Sequence, residues 1–372
     1  MDSYNVSPFV GTKTRGGQRG MNPLRGAIVG CGYIAQTRHI PGFLAVRRDL
    51  SLRAVCDRDL SLAKDVARTF GVPHAYSSLD EMLSAEELDL VDLCTPPQSH
   101  APLAIRVAER GCHILVEKPM AVSSADCDKM ISAAVRHNVK LCVMHNERFY
   151  PPMRTAERLV HENQIGDLIG MRILSLTDRS LYMENENHWA HRLPTGILGE
   201  TAPHAVYLSL AFLNKVQDVH IRAENRWLHS KGRNDTFWIE LVGENATSSI
   251  TISHAANVTA KEVDLIGAMG VVRVDLQAMI LTIHRRRRLD AFAIGKSSLV
   301  HVWELLGGIA SNSLSMLAHR SPLGHYHLIR EFVKSVQDGK DPPISMEEGR
   351  ETVRIMESIG NKVERDGYTS PE

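Results

Sequence analysis

The chain has 372 residues, enough for about two domains, with 43% hydrophobic and 23% charged residues, an ordinary globular balance. Its 43 basic and 43 acidic side chains cancel, so no global field recruits nucleic acid or a membrane surface, and no apolar run is long enough to span a bilayer. The six cysteines (Cys31, Cys56, Cys94, Cys112, Cys127 and Cys142) share one segment without a Cys-x-x-Cys pair; free thiols in a reducing cytoplasm fit this, a disulfide framework or a zinc site does not.

Residues 1 to 22 carry Gly11, Gly16, Gly17 and Gly20 among Lys13, Arg15 and Arg19, without the apolar core of a secretory signal, and read as a disordered tail. Ala27 to Val29 read as a short buried strand. Gly30-Cys31-Gly32-Tyr33-Ile34-Ala35 then matches the dinucleotide fingerprint with alanine in third place. The first glycine permits the tight turn, the second lets the backbone approach a pyrophosphate, and Ala35 is small enough for the helix to pack on the strand. That helix, Tyr33 to Val46, is expected to break or kink near Pro41. Ser51 to Val55 form the second strand. Asp57 follows 25 residues after Gly32, near the offset at which an acid takes the ribose hydroxyls of NAD. Arg58 beside it can hold a 2′-phosphate, which keeps NADP as the alternative cofactor.

Leu60 to Phe70 form an amphipathic helix closed by Gly71, and Ser78-Leu79-Asp80-Glu81 has the form of a capping box. The strand Leu88 to Cys94 ends at Thr95-Pro96-Pro97, whose prolines fix a loop where ligands sit in an open parallel sheet. A helix (Pro102 to Arg110), a strand (Cys112 to Val116, ending at Glu117-Lys118-Pro119), a helix (Ala125 to His137) and a strand (Lys140 to Met144) follow. This alternation predicts a doubly wound parallel sheet, a dinucleotide-binding domain over residues 23–146.

After Pro151-Pro152 the pattern changes. Met153 to Asn163 are helical, Met171 to Leu176 a strand, and the polar, His-rich Tyr182 to Arg192 a loop over a site. Gly196 to Leu213 are mostly helical. Strands over Asp218 to Ala223, Thr236 to Leu241, Ser248 to Ser253, Val263 to Ile266, Gly270 to Asp275 and Ala278 to Ile283 predict a large, mainly antiparallel open sheet. Arg285 to Arg288 read as a solvated strand end, Val302 to Leu317 as an inserted helix, and Pro322 to Val336 and Ser345 to Glu364 as closing helices. Residues 147–372 are thus assigned to an α/β substrate-binding and oligomerisation domain, whose last helices can pack back on the first.

Two constellations carry chemistry. Lys118, at the end of a cofactor-sheet strand, can hydrogen-bond a substrate hydroxyl and the nicotinamide ribose, with Glu117 holding its ammonium. Glu200 and His204, four apart on one helical face, can act as orienting acid and general base. Pro203 is tolerated in a first helical turn or at a kink, which places His204 near a helix N-terminus. His188-Trp189-Ala190-His191 lacks a third ligand at metal spacing, so His188 and Trp189 are assigned to a substrate-pocket wall.

Together, the Gly30-to-Ala35 loop, Asp57, Thr95-Pro96, Glu117-Lys118-Pro119, Asn146-Glu147-Arg148-Phe149 and the Gly196-to-His204 helix resemble the glucose–fructose oxidoreductase / inositol dehydrogenase / MocA family. The likeness covers roughly Leu24 to Gly367. It implies NAD(P)-dependent hydride transfer at a secondary alcohol of a sugar, cyclitol or related polyol, and a homodimer or homotetramer formed through the C-terminal sheet. It also implies a catalytic group of Lys118, Glu200 and His204. The cofactor would lie on Gly30, Gly32, Tyr33, Ile34, Ala35, Asp57, Arg58, Thr95, Pro96, His100, Glu117, Lys118 and Asn146, and the substrate on Lys118, Arg148, His188, Trp189 and His204. Glu200 stands where the family usually has Asp, and Tyr207 where many members carry an acid. Two rival functions stay open: a redox-neutral lyase that uses held NAD for transient oxidation, and a non-catalytic NAD(H)-binding sensor.

Overall fold

A strand covered on both faces needs an apolar residue at every position, and the first half of the chain supplies such strands. In a computed structural model, which describes residues 22–365 except 186, 228–232 and 318–323, they are β1 (Leu24–Val29), β2 (Leu50–Cys56), β3 (His74–Tyr76), β4 (Leu90–Leu93), β5 (His113–Val116) and β6 (Leu141–Val143). All pair in parallel, in the spatial order β3-β2-β1-β4-β5-β6. The helices between them are α1 (Ile40–Ala45), α2 (Leu60–Phe70), α3 (Leu79–Ala85), α4 (His100–Glu109) and α5 (Ser124–Arg136). The tail expected over residues 1–22 lies, but for Asn22, outside the described residues. All six cysteines are buried and unpaired.

Local chemistry sets several boundaries differently from expectation. The first helix runs without a break over residues 33–45, with a π-helical turn, Ala35–His39, leading directly into α1; Pro41 lies inside it, and the wider turn just before it accommodates the ring and the missing N–H where a break or kink was expected. The wider turn carries His39 into the core, fully buried. Ser78 precedes α3 but its hydroxyl makes no capping bond, whereas Asp59 caps α2 by accepting from the Ser61 and Leu62 amides.

The second half builds α6 (Pro151–His161), β7 (Leu168–Asp178), α7 (Arg179–Tyr182), α8 (Leu198–Leu210), then β8 (Val216–Glu224), β9 (Thr236–Gly243), β10 (Thr247–Ala256), β11 (Ala260–Gly267), β12 (Gly270–Asp275) and β13 (Ile280–His284). Its seven strands run β13-β12-β11-β7-β10-β9-β8, antiparallel except for the β7–β10 pair. The inserted helix α9 spans Ala291–Leu317 and so starts well before Val302. The closing helices are α10 (Gly324–Gln337) and α11 (Met346–Arg365). Leu328, Ile329 and Phe332 of α10 join the core of the first sheet; α11 straddles both cores, with Val353 in the first and Ile355 and Ile359 in the second. No helix among the described residues is long and apolar enough to cross a membrane.

Two buried histidines give the fold a pH dependence. Burial, helped by the Arg148 charge, pushes His145 down to about 3. Burial likewise takes His254 down to about 4. Both pKa values are depressed on folding, so between pH 6.5 and these values the unfolded chain binds more protons, and stability falls as pH falls. Each group contributes a slope on the order of 1 kcal/mol per pH unit in that window. Urea midpoints should therefore decline from pH 7 to pH 5, and His254→Phe should flatten the decline; a midpoint independent of pH would overturn this reading.

Candidate functional site

The glycine loop leaves β1 at the point where the order of the sheet reverses, between β1 and β4. Gly30 has φ +95°, and a Cβ on it would stand 2.5 Å from the Cys94 carbonyl oxygen, so only glycine lets the two strand ends approach. A Cβ on Gly32 would meet nothing within 4 Å; the backbone there faces open space, as a pyrophosphate cradle requires. Asp57, at the tip of β2, accepts from the Cys31 amide at 2.8 Å and from the Asp59 amide at 3.0 Å, which ties the glycine loop to the ribose end of the crevice. Arg58 beside it is exposed. The Thr95 loop, Lys118 and Asn146 follow β4, β5 and β6, all on the carboxyl edge of the sheet. The residues present thus fit a dinucleotide.

Opposite that edge, α8 presents Glu200 and His204 to a cleft of about 160 Å³ that is also lined by Tyr182, Thr201, Lys261 and Gln277. Lys118 reaches the same place. Its Nζ donates to Glu200 Oε1 at 2.7 Å and to the Glu200 carbonyl at 3.1 Å. Burial would lower the Lys118 pKa, but the Glu200 and Glu117 carboxylates together hold the ammonium above its ordinary value. Glu200 is therefore the hydrogen-bond partner of the Lys118 ammonium, with the Glu117 charge supporting it, and Glu200 does not touch the imidazole it was expected to orient.

His204 is oriented by other groups. Its Nδ1 lies 2.7 Å from the Tyr207 hydroxyl and 3.3 Å from Glu147 Oε1. The Tyr207 oxygen also accepts from the Glu147 amide, and its proton points to Asn146 Oδ1 at 3.4 Å. With the phenol proton so directed, Nδ1 carries the ring proton and Nε2 is bare, a tautomer assigned from the network. Burial and the nearby Lys261 and Lys118 charges push His204 well below its ordinary pKa. Lys261 Nζ in turn donates to Glu147 Oε1 at 2.6 Å. Pro203 sits in the second turn of α8 rather than the first, so neutrality of His204 comes from burial and cations, not from a helix end.

Several assigned residues serve the scaffold. Glu117 faces inward: Oε1 accepts from His39 Nε2 at 2.7 Å and Oε2 from the Lys118 amide at 2.9 Å. His39 Nδ1 meets Asp92 Oδ2 at 2.7 Å, so one buried ring bridges two buried carboxylates. Against the opposing pull of burial, Asp92 holds His39 well above its ordinary value. Burial would raise Glu117, but the His325 and His39 imidazoles keep it well below. His39, Asp92 and Cys94, or His39, Glu117 and His325, lie close enough together to ligate a metal, yet both His39 nitrogens are already engaged by carboxylates. His100 is buried with Nε2 2.7 Å from the Thr95 carbonyl and Nδ1 3.1 Å from that of Pro119, which leaves no ring nitrogen for a cofactor. Arg148, assigned to the substrate, is ion-paired with Glu157 and Glu348. His188 caps the Ala190 amide behind Tyr182, at a ring separation of 5.0 Å, and Trp189 faces outward; Tyr182 is the wall of the cleft.

Tyr182, Glu147 and Lys261 were not singled out as site residues from the sequence. No spacing signal exists for Lys261: the β11–β7 register, which sets it opposite Ser175, is what brings it to the cleft. Tyr207 was visible only as a departure from an acid. A broader groove at the other end of α8, lined by Leu213, Lys215, Glu348 and Arg354, holds none of these groups.

Residues 24–145 match the family model described as an oxidoreductase family with an NAD-binding Rossmann fold, and residues 153–273 match the GFO/IDH/MocA C-terminal domain. The chain is 32% identical to D-apiose dehydrogenase of Paraburkholderia graminis over 38% of either chain. It is 31% identical to D-glucoside 3-dehydrogenase of Escherichia coli over 40% of this chain and 42% of the relative. Oxidoreductase P35 of Formosa agariphila is 27% identical over 52% of this chain and 61% of its own. The match thus spans less than two thirds of each of these proteins. The fold is shared with the WlbA dehydrogenase of Bordetella pertussis, solved with NADH and UDP-GlcNAcA, at a TM-score of 0.76 and 20% identity over 93% of this chain and 96% of that one. With both halves matched in their expected order, the chain belongs to the glucose–fructose oxidoreductase / inositol dehydrogenase / MocA family, and its first half is an NAD-binding Rossmann fold.

Proposed function

We propose that the protein is a dehydrogenase or reductase of a secondary alcohol on a sugar-like molecule, using NAD(H). The observation that carries this reading is that His204 and Glu200 line one cleft, and that Glu200 holds the Lys118 ammonium close enough for its charge to act on His204. The relatives named for apiose and glucoside dehydrogenation support the substrate class.

In the oxidative direction, His204 Nε2 takes the hydroxyl proton. The resulting imidazolium keeps its Nδ1 proton on Tyr207, and the Glu147 carboxylate 3.3 Å away faces the new charge. Lys118 spends two of its three donors on Glu200, and the third is directed to the substrate oxygen as it gains charge. The nicotinamide, when bound, supplies the hydride acceptor or donor. Thr95, Pro96 and Asn146 line its end of the crevice, and Glu200 fixes Lys118. In the reverse direction, the same histidine returns the proton.

The test is a screen of aldoses, polyols, amino sugars and sugar acids with NAD⁺ and NADP⁺, read as kcat/KM. NAD⁺ should be preferred, because Asp57 accepts from ribose hydroxyls and repels a 2′-phosphate. Asp57→Ala should narrow the preference. Wild-type preference for NADP⁺ would show that Arg58 governs the pocket, and NADH binding without turnover on any substrate would overturn the enzymatic reading.

A further inference from the structure

The helix α9 is packed inside out. The residues it turns to the rest of the chain are Ala293, Ser297, His301, Glu304, Gly308 and Asn312, a stripe of polar or small side chains at spacings of three and four. They blunt the free edge of β13 and its approach. Glu304 accepts from the Ile283 amide, His301 Nε2 meets the Ile283 carbonyl, and Asn312 donates to the carbonyls of Ala278 and Met279. A Cβ on Gly308 would stand 3.0 Å from Ile280, so the helix lies close.

The opposite face is apolar and, among the described residues, uncovered. Nine large side chains from Phe292 to Ile309 are exposed, among them Phe292 at 81%, Trp303 at 72% and Leu299 at 63%. They present on the order of 900 Å² of mostly apolar surface. A monomer's largest patch is typically about 300–600 Å², and a stable interface takes about 800 Å² from each partner. Within this face, positions 292, 295, 299, 302, 306 and 309 alternate steps of three and four. That is a heptad seam, the period that seats side chains between those of a facing helix.

We infer that α9 is a self-association surface, on which a second copy of this chain lays its own α9 about a two-fold axis. A two-fold contact needs a self-complementary patch, and an apolar seam without opposing charge is one. Zero formal net charge leaves no repulsion between copies. In the arginine run before the helix, Arg285 meets the Gln164 carbonyl, Arg286 meets Ser297 and Arg288 meets Asp290, but all four stay exposed, so an anionic lipid surface is the competing occupant that the test has to separate. On the outer face of the second sheet, where the family resemblance places oligomer contacts, Asp264 is held between Arg172 and Arg273.

Sedimentation of the full chain at micromolar concentration should give a mass at least twice 41.4 kDa. The double variant Leu299→Glu/Leu306→Glu should at least halve that mass while keeping its circular dichroism and NADH affinity. Val302→Cys, treated with diamide, should yield a disulfide-linked dimer on a non-reducing gel, because the native cysteines are buried; Arg172→Cys on the sheet face should not. A monomeric wild type, an assembly unchanged by the double variant, or a cross-link at Arg172→Cys with none at Val302→Cys would each overturn the inference. So would flotation of the monomer with phosphatidylserine vesicles that is lost in the double variant, which would assign the face to a membrane.

Discussion

His204→Ala lowers kcat by about 10²- to 10⁴-fold, the usual range for loss of a general base, while NADH affinity stays near wild type. Lys118→Ala loses a comparable amount, because a charged donor no longer meets the developing alkoxide. Both side chains act mainly in the transition state, so the loss appears in kcat more than in cofactor binding. The partners separate the two halves of the site. Tyr207→Phe removes the oxygen that His204 Nδ1 faces and lets the ring take the wrong tautomer, so it lowers kcat without changing Lys118. Glu200→Gln loosens the Lys118 ammonium and leaves the imidazole network intact. NADH titration beside steady-state kinetics on the four variants reads all of this. Because burial and two lysines hold His204 well below its ordinary pKa, the acid limb of kcat for oxidation lies well below pH 6.5. Near wild-type kcat in both alanine variants would remove these residues from the chemistry.

His39→Ala destabilises the fold by about 3–5 kcal/mol, the cost of leaving a buried charge without its partner. The imidazolium bridges Asp92 and Glu117, and its removal strands Asp92 in the core while Glu117 keeps the Lys118 amide and His325. The sign with pH follows from its raised folded pKa: the stabilisation is fully present below about pH 6.5, the unfolded value, and fades only as pH rises through the higher folded one. Urea unfolding of His39→Ala measures the loss. The double variant His39→Leu/Asp92→Asn should recover part of it, since it removes the stranded charge and fills the cavity. A loss of under about 1 kcal/mol in the single variant would mean the carboxylates are neutral or hydrated and the bridge is incidental.

What could be read in the residues follows from how local the cause is. Gly30 needs a positive φ and close approach, a property of one residue and its strand, and it was legible at once. Strand and helix alternate with unbroken apolar runs, so the parallel sheet followed. Pairing within the catalytic group was not legible. Glu117 and Glu200 are each near a titratable neighbour in sequence, Lys118 and His204, yet each turns to a different partner. Adjacent residues on a strand end point to opposite faces, so Glu117 goes inward to His39 while Lys118 goes outward to Glu200. In the helix, residues three apart are neighbours as well as those four apart, and Tyr207 took the contact to His204 that Glu200 was expected to make.

By itself, then, the sequence determined the dinucleotide loop and the two-sheet architecture, because each rests on short-range stereochemistry or periodicity, and it pointed to the family and to Lys118 and His204 through the motifs that carry the resemblance. Only the tertiary structure decided who partners whom. Lys261 reaches Glu147 across 114 positions, His39 reaches Glu117 across 78, and Lys118 reaches Glu200 across 82. Such contacts depend on sheet register and on how α8 and α10 pack between the two cores. Tertiary structure also decided which side of α9 faces inward: the free edge of β13 offers backbone groups that must be satisfied. The polar stripe of the helix answers that need and leaves its apolar face outside.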